Sequence, residues 1–484
     1  MIAVLLPSCP RKDPVMTSEN TTRLGSGLKV RHLTMMGLGS TIGAGLFLGT
    51  GVGIKAAGPS VIVAYIIAGF IAVMIMRMLG EMGSVVPASG SFSEYADAGI
   101  GHWAGFIQGW VYWLATVAVL GAEITGAAGF VASWLGISPW IPALFFVVIF
   151  GTVNLLRVRA FGEFEFWFAF IKVAVLILFL FVGFLLVTGL LPGHSFVGLN
   201  QIESEGFMPN GLSGIAAALL AVAFGFGGIE VVAIASAESE DPQRSLVNAV
   251  RTTITRISIF YLGSVAVIVL LLPYSSLGKA HSAAESPFSQ VLAIAGIPGV
   301  VGTMEVVIVL ALLSAFNAQI YASSRMMMSL AERRQAPRAF ARVNKQGVPT
   351  TAILLSVVLS IVMVLLNYLD TGWLLSFLLN AAGASLLTVW TFVAVSQLKL
   401  RRRLEALSPS LGVRMWAYPW LTSFTLVVLA GLAALMLSDA HARVELLSAL
   451  TMVAILFLAS LVAVRRPFEK AQLPGENSTA IGSD

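Results

Sequence analysis

Hydrophobic positions along this chain form long uninterrupted runs, with neither the alternation of a strand nor the stripe of a surface helix. Twelve such runs follow one another, separated by short polar connections. A run of about 18 apolar residues or more is long enough to cross a bilayer as a helix. We therefore predict twelve membrane-spanning helices, near residues 33–53, 60–83, 103–133, 139–156, 164–190, 212–237, 254–276, 297–330, 349–368, 373–398, 416–438 and 444–464.

Composition supports an all-α integral membrane protein. The 484 residues are 57% hydrophobic and 11% charged, against about 25% charged residues in soluble domains. The predicted spans leave no room for a soluble catalytic domain, and they carry no nucleophile with a base, so we expect no enzyme. A single cysteine excludes an internal disulfide, and five scattered histidines argue against zinc. We expect neither a metal nor a cofactor.

The positive charges predict the orientation of the spans. Of the 29 lysine and arginine residues, 25 fall in the tails or on the side of the even-to-odd connections. Positive loops stay in the cytoplasm, so both tails, residues 1–28 and 467–484, are predicted to be cytoplasmic. The net charge of +5 is explained by this topology in the cell membrane, and no nucleic-acid partner is expected.

Seven glycines lie between Gly37 and Gly53 in the first span. Each costs a helix about 1 kcal/mol relative to alanine, so the cluster needs a purpose. A phosphate-binding GxGxxG loop fails, because Ile42 occupies the third glycine position. Close helix packing through GxxxG pairs is one remaining explanation. The other is a broken helix that lines a cavity, as in transporters built from inverted repeats.

A broken first span predicts a second broken span in another repeat. Five spans later the sequence AFGFGGIE places Gly225, Gly227 and Gly228 directly before Glu230. Residues 29–195 and 196–400 are then two five-helix repeats of opposite orientation, because five is odd. Residues 401–466 add helices 11 and 12.

Broken helices offer a specific kind of binding chemistry. Amide donors are left at the start of the second half-helix, and carbonyl acceptors at the end of the first. Donors beside acceptors suit a zwitterion, and an amino acid carries both charges on one carbon. The sequence therefore predicts an amino acid as the substrate, bound without the need for an ionised side chain.

Charged residues within the spans are costly, at about 2.5 to 3.5 kcal/mol or more near the bilayer centre. Arg77 and Glu81 are one turn apart and are predicted to form a local ion pair. Glu123, Lys172 and Glu230 lie deeper in their spans and are candidates for function.

Seven blocks carry a resemblance, and they occur in order: GLGSTIGAGLFLGTG, GEMGSVVPASGSFSEYA, AEITGA, GEFEFWFAFIKV, AFGFGGIEVVAIASAESEDPQRSLVNAV, LSAFNAQIYASSRMM and ERRQAPRAFARVNKQGVP. With these blocks the chain resembles the amino acid transporter family of the amino acid, polyamine and organocation superfamily, from about residue 27 to about residue 465. The resemblance implies backbone amides for the substrate carboxylate, at Gly43, Ala44 and Gly45. It implies carbonyls for the ammonium, at Thr41, Phe224 and Gly227. Phe224 also matches the aromatic residue that closes over the substrate in relatives.

Lys172 matches a lysine of proton-coupled relatives that holds the break in span 1 together when it is protonated. The alternative is a lysine that extends to the cytoplasmic interface. Glu123 matches an acid beside the pocket, which could bind a polar substrate group, carry the proton or serve as a neutral structural acid. Glu230 is expected to bond amides at the span 6 break, and the alternative is a part in proton transport. Further candidates for the pocket are Phe226, Ser314 and Asn317.

The leading hypothesis is a proton-driven importer of an amino acid, with a neutral amino acid preferred, that works by alternating access. An amino acid exchanger could use the same site without a proton step. A nontransporting sensor on the same scaffold would usually carry a long soluble tail. Symport, exchange and the oligomeric state stay open at this point.

Overall fold

A computed structural model describes residues 28–473 except residues 89, 157, 278–285, 370–373 and 409–411. The described chain is helical throughout and contains no strand. Its one extended pairing is an isolated bridge between Leu28 and Ser239.

Within the residues that the structure describes, twenty α-helices follow one another, with short 3₁₀ turns at Gly58–Ser60 and Arg338–Ala341 and a π-helical turn at Ile257–Leu262. They are α1 Val30–Gly39, α2 Ala44–Phe47, α3 Gly49–Ala57, α4 Val61–Val85, α5 Phe92–Gly99, α6 His102–Leu135, α7 Trp140–Leu155, α8 Val158–Thr188, α9 Asn200–Glu205, α10 Gly211–Gly225, α11 Ile229–Ser236, α12 Pro242–Arg256, α13 Gly263–Leu271, α14 Tyr274–Leu277, α15 Pro287–Ile294, α16 Val300–Glu332, α17 Thr350–Leu369, α18 Leu374–Leu407, α19 Trp420–Met436 and α20 Ala440–Ala463.

Eight helical stretches of the described chain are long and apolar enough to cross a membrane, and three shorter apolar helices accompany them. This confirms a helical membrane protein. The stretch formed by α10 and α11 is the most enclosed, with 89% of its apolar window buried, whereas only 17% is buried in α20. The second glycine-rich segment therefore lies at the centre of the molecule, and α20 at its periphery.

The helices that carry the two glycine-rich segments are packed among the longest helices. α10 packs on α3 and α18, while α1 packs between α8 and α12. α6 lies against both α16 and α18. In addition, α2 contacts α10 and α16, and α11 contacts α1 and α16. The two glycine-rich segments therefore lie together in the interior of the helix bundle, beside α6 and α16.

The predicted local ion pair between Arg77 and Glu81 is wrong. Glu81 is fully buried and accepts hydrogen bonds from Arg401 and from Gln397 Nε2, the latter at 2.7 Å. The Arg77 guanidinium instead stacks over Trp416, 3.8 Å from the ring centre. Tertiary partners outcompete the neighbour one turn away, because Glu81 faces α18 in the interior.

Candidate functional site

The first glycine-rich segment is interrupted. α1 ends at Gly39, α2 begins at Ala44, and the backbone leaves the helical conformation at Gly43, with φ −153° and ψ −147°. The interruption exposes the carbonyl end of one helix to the amide end of the next. This is the arrangement that the sequence predicts for a zwitterion.

The second glycine-rich segment is interrupted as well. α10 ends at Gly225 and α11 begins at Ile229. Gly228 adopts a positive φ of 97°, and a Cβ there would lie 2.8 Å from the Ser40 carbonyl oxygen. Ser40 Oγ in turn donates a hydrogen bond of 2.9 Å to the Gly228 carbonyl. The two interruptions are therefore in direct contact, and position 228 requires glycine.

Close glycine packing accompanies the interruptions, so the two explanations for the glycines are not exclusive. A Cβ at Gly45 would lie 2.5 Å from Gly225 Cα, and a Cβ at Gly39 would lie 2.5 Å from Ala169 Cβ. The first contact joins the two interrupted segments, and the second joins α1 to α8.

Lys172 reaches the first interruption from α8. Its side chain is fully buried, and Nζ donates to the Gly39 carbonyl at 2.7 Å and to the Ile42 carbonyl at 3.3 Å. The ammonium therefore sits at the carbonyl end of α1, where the helix dipole favours a cation. This geometry does not fit a lysine that extends to an interface.

Glu165, which the sequence analysis missed, accompanies Lys172. Its carboxylate is fully buried, lies 3.9 Å from Lys172 Nζ, and accepts a 2.9 Å hydrogen bond from Ser314 Oγ. Asn317 accepts a 2.7 Å bond from Asn154 Nδ2. Ser314 thus faces the buried ion pair, and Asn317 is bonded towards α7. The spacing of seven residues between Glu165 and Lys172, two turns on one helix face, is the signal that could have revealed the pair.

Glu123 occupies the start of α2. Both of its carboxylate oxygens lie 3.0 Å from the Ala44 backbone nitrogen, and a Cβ at Gly43 would lie 2.6 Å from Oε1. A carboxylate is favoured at the amide end of a helix. Glu123 therefore holds the position that the sequence analysis assigns to the substrate carboxylate.

Glu230 supports the second interruption. Its Oε2 accepts a 2.9 Å hydrogen bond from the Gly228 amide, and its Oε1 accepts one of 2.9 Å from Trp390 Nε1. The Tyr261 hydroxyl donates to the Thr41 carbonyl at 2.8 Å. Side chains thus satisfy backbone groups on both sides of the interruptions.

A cavity of about 20 Å³ lies beside the interruptions. Five of the predicted site residues line it, namely Thr41, Gly45, Glu123, Phe224 and Gly227. Phe226 packs instead against Tyr261, with ring centres 4.8 Å apart, and against Tyr65. The volume suffices for about one water molecule. An amino acid can enter only when the surrounding groups move apart.

The family model for amino acid permeases matches residues 32–472. This chain belongs to the amino acid permease family. It is therefore a membrane transporter that imports an amino acid, and it is not an enzyme.

Among the relatives of this permease are proteins named as aromatic amino acid transport proteins and proteins named as gamma-aminobutyric acid permeases. This chain is 58% identical over 454 residues to the aromatic amino acid transport protein AroP of Corynebacterium glutamicum, and the match covers 94% of this chain and 98% of the relative. It is 40% identical to the gamma-aminobutyric acid permease of Bacillus subtilis, covering 93% and 96%. It is also 40% identical to AroP of Escherichia coli, covering 78% and 82%.

Proposed function

We propose that this permease imports aromatic amino acids together with protons by alternating access around the two interrupted helices. The 58% identity to an aromatic amino acid transport protein supports the substrate class. The proposal includes twelve spans, two inverted five-helix repeats and both termini in the cytoplasm, as the apolar runs and positive charges predict.

The contact between Glu123 and Ala44 carries the proposal. The substrate carboxylate needs the same amide that both Glu123 oxygens now approach at 3.0 Å. Two carboxylates cannot share one donor in a buried site without strong repulsion. A proton on Glu123 removes its charge and frees the amide for the substrate. The substrate ammonium is then held by carbonyls of Thr41, Phe224 and Gly227.

Lys172 completes the proposed cycle. Its ammonium joins the Gly39 and Ile42 carbonyls and so fixes the shape of the first interruption. Glu165 balances its charge at 3.9 Å. With Lys172 charged and Glu123 neutral, the cradle for the substrate carboxylate is ordered and available. If Lys172 loses its proton, the cradle is no longer held in shape. If Glu123 loses its proton, its carboxylate occupies the Ala44 amide again.

Transport assays in proteoliposomes test the function. With a lower external pH, we expect labelled phenylalanine, tyrosine or tryptophan to accumulate in the absence of sodium and of internal amino acid. Uptake only into vesicles preloaded with amino acid would show an exchanger instead. Uptake of gamma-aminobutyric acid with no competition by aromatic amino acids would contradict the proposed substrate class.

Glu123→Gln is expected to keep substrate binding and to lose pH-driven accumulation, because the amide side chain mimics the neutral acid permanently. The measurements are the affinity for phenylalanine and the accumulation ratio as a function of external pH. Glu305→Gln is the matched control, since Glu305 is an acid at the start of α16 that accepts a 2.9 Å bond from Trp134 Nε1. If Glu123→Gln leaves affinity, rate and pH dependence untouched, Glu123 is a structural acid.

A further inference from the structure

The buried acid next to Lys172 keeps one oxygen without a donor. Glu165 Oε1 accepts the 2.9 Å bond from Ser314 Oγ, whereas Oε2 has no hydrogen-bond partner among the residues that the structure describes. The Asn317 side chain is also fully buried, and within the described chain its Nδ2 donates to no acceptor. Buried polar atoms in proteins are nearly always bonded. The Glu165 carboxylate is therefore only partly satisfied in this structure.

The gap between Glu165 and Lys172 is that of an ion pair without a hydrogen bond. Glu165 Oε1 lies 3.9 Å from Lys172 Nζ, and a hydrogen bond between these atoms would require about 2.7 to 2.9 Å. Two of the three ammonium protons are directed to the Gly39 and Ile42 carbonyls, at 2.7 and 3.3 Å. A movement of about 1 Å by the two flexible side chains brings the third proton within reach of the carboxylate.

Burial makes a proton transfer across this gap energetically accessible. Both side chains are fully buried. A buried ammonium and a buried carboxylate each lose the stabilisation that water gives to a charge, and their attraction does not always repay that loss. When an N–H bond of Lys172 breaks and an O–H bond forms on Glu165, two buried charges become a neutral amine and a neutral acid. The Gly39 and Ile42 carbonyls are then held by an uncharged donor, whose hydrogen bonds are about half as strong.

Glu165 is the acid that is available to take this proton. Within the described chain, two acids act electrostatically on the Lys172 ammonium, Glu165 from its own helix and Glu123 from α6. Glu123 is bonded to the Ala44 amide, and in the proposed loaded state it is already protonated. Glu165 also lies about 10 Å nearer than Lys172 to the amino end of α8, which faces the cytoplasm in the predicted topology. A proton on Glu165 has therefore moved in the direction of import.

An aromatic pair shields Glu165 from the amino end of α8. The Phe161 ring, one turn before Glu165, stacks on the Tyr321 ring of α16 with the ring centres 4.4 Å apart and the planes 4° apart. The Tyr321 hydroxyl donates to Glu238 Oε1 at 2.8 Å, beyond the end of α11. A proton held by Glu165 is thereby kept from the cytoplasmic end while this pair is closed.

We propose that Glu165 is the acceptor to which Lys172 passes the coupled proton before that proton reaches the cytoplasm. The proposal rests on proton symport, which is part of the proposed function. The transfer removes the charge that holds the first interruption in shape, so the cradle for the substrate carboxylate loosens as the proton leaves Lys172. Glu165 gives the proton to water when Phe161 and Tyr321 separate, and it becomes a carboxylate again. Proton and amino acid thus leave on the same side.

Glu165→Gln tests the acceptor, because the amide keeps an oxygen for Ser314 Oγ and cannot take up the proton. We expect the maximal rate of phenylalanine uptake into proteoliposomes to fall about a hundredfold at every external pH, as for the loss of an acid or base in proton transfer. Phenylalanine binding at the acid end of the profile should persist. It is measured by the thermal shift of the purified variant, which also shows that the variant is folded.

Charge balance alone is the other role that Glu165 could have, and the pH profile separates the two. If Glu165 only balances Lys172, the wild-type maximal rate of Glu165→Gln should return at low external pH, because acid keeps the lone ammonium charged. Glu165→Asp is a second comparison, since it retains the charge but withdraws the carboxylate by one methylene. We expect it to slow uptake about tenfold or more, with an unchanged number of protons per phenylalanine, measured with a pH-sensitive dye inside the vesicles.

Glu163→Gln is the matched control, since Glu163 is an acid of the same helix that is 36% exposed and pairs with Arg31 and His32. Its uptake rate and its number of protons per phenylalanine should equal those of the wild type. The two Glu165 variants are scored separately, so either folded variant decides.

Two outcomes would overturn the acceptor role while proton symport stands. One is the return of the full rate in Glu165→Gln at low pH, and the other is a wild-type rate in Glu165→Asp. If the wild type itself takes up phenylalanine without protons, symport fails, and the acceptor role fails with it.

Discussion

We expect Lys172→Met to abolish the uphill accumulation of substrate, so that the accumulation ratio falls to one. The ammonium donates to the Gly39 carbonyl at the end of α1, at 2.7 Å, and to the Ile42 carbonyl within the interruption, at 3.3 Å, and methionine supplies no donor. The Gly39 carbonyl keeps a 3.1 Å bond from the Ile42 amide, so the Ile42 carbonyl is the one that loses its donor. A buried carbonyl without a donor in a membrane protein costs several kcal/mol. The variant also leaves the fully buried Glu165 without its cation. Both losses fall on the interruption that is proposed to bind the carboxylate.

Two measurements are compared. One is the uptake of labelled phenylalanine driven by a pH gradient, and the other is phenylalanine counterflow at equal external and internal pH. Lys55→Met is the matched control, because Lys55 is exposed at the end of α3. Unimpaired uphill transport by Lys172→Met would refute the coupling role of Lys172. Loss of accumulation with retained counterflow would show that the lysine is needed for coupling rather than for substrate passage.

Gly45→Ala is expected to lower transport about a hundredfold, because the added methyl would press the two interruptions apart. The new Cβ would lie 2.5 Å from Gly225 Cα, and 3.0 Å from both Gly225 N and the Phe224 carbonyl oxygen. These are backbone atoms, which cannot rotate away as a flexible side chain could. A shift of about 1 Å in groups that position a substrate is known to reduce activity about 10²-fold.

The measurement for Gly45→Ala is the initial uptake rate per folded transporter, after normalisation to the purified amount in the vesicles. Gly302→Ala in α16 is the control, since its Cβ would meet no atom within 4 Å. A rate close to the wild type for Gly45→Ala would mean that the contact between the interruptions is not required during transport.

The interruptions could be predicted from the sequence because their cause is local. Glycine is the poorest helix former after proline, so clusters such as Gly43 with Gly45 mark where a helix can end. The long apolar runs predict the spanning helices for a similar reason. The structure confirms the helical membrane fold, while the count of twelve spans and the repeats stay predictions.

Side-chain partners could not be predicted in the same way, because they depend on tertiary packing. Spacing alone favours Arg77 for Glu81, whereas the folded chain brings Arg401 to it from more than 300 residues away. The sequence does not predict a buried role for Glu165, because this residue lies at the edge of an apolar run. In the structure it is buried beside Lys172.

The hydrogen bond from the Ala44 amide to Glu123 also matters for the half of the proposed cycle in which the empty carrier returns. A carrier must reorient without cargo as well as with it, and a bare amide in the bilayer interior would oppose that step. The Glu123 carboxylate gives the Ala44 amide an acceptor of the same kind as the substrate's own. The unloaded carrier thereby keeps its helix end satisfied and can turn back without an amino acid.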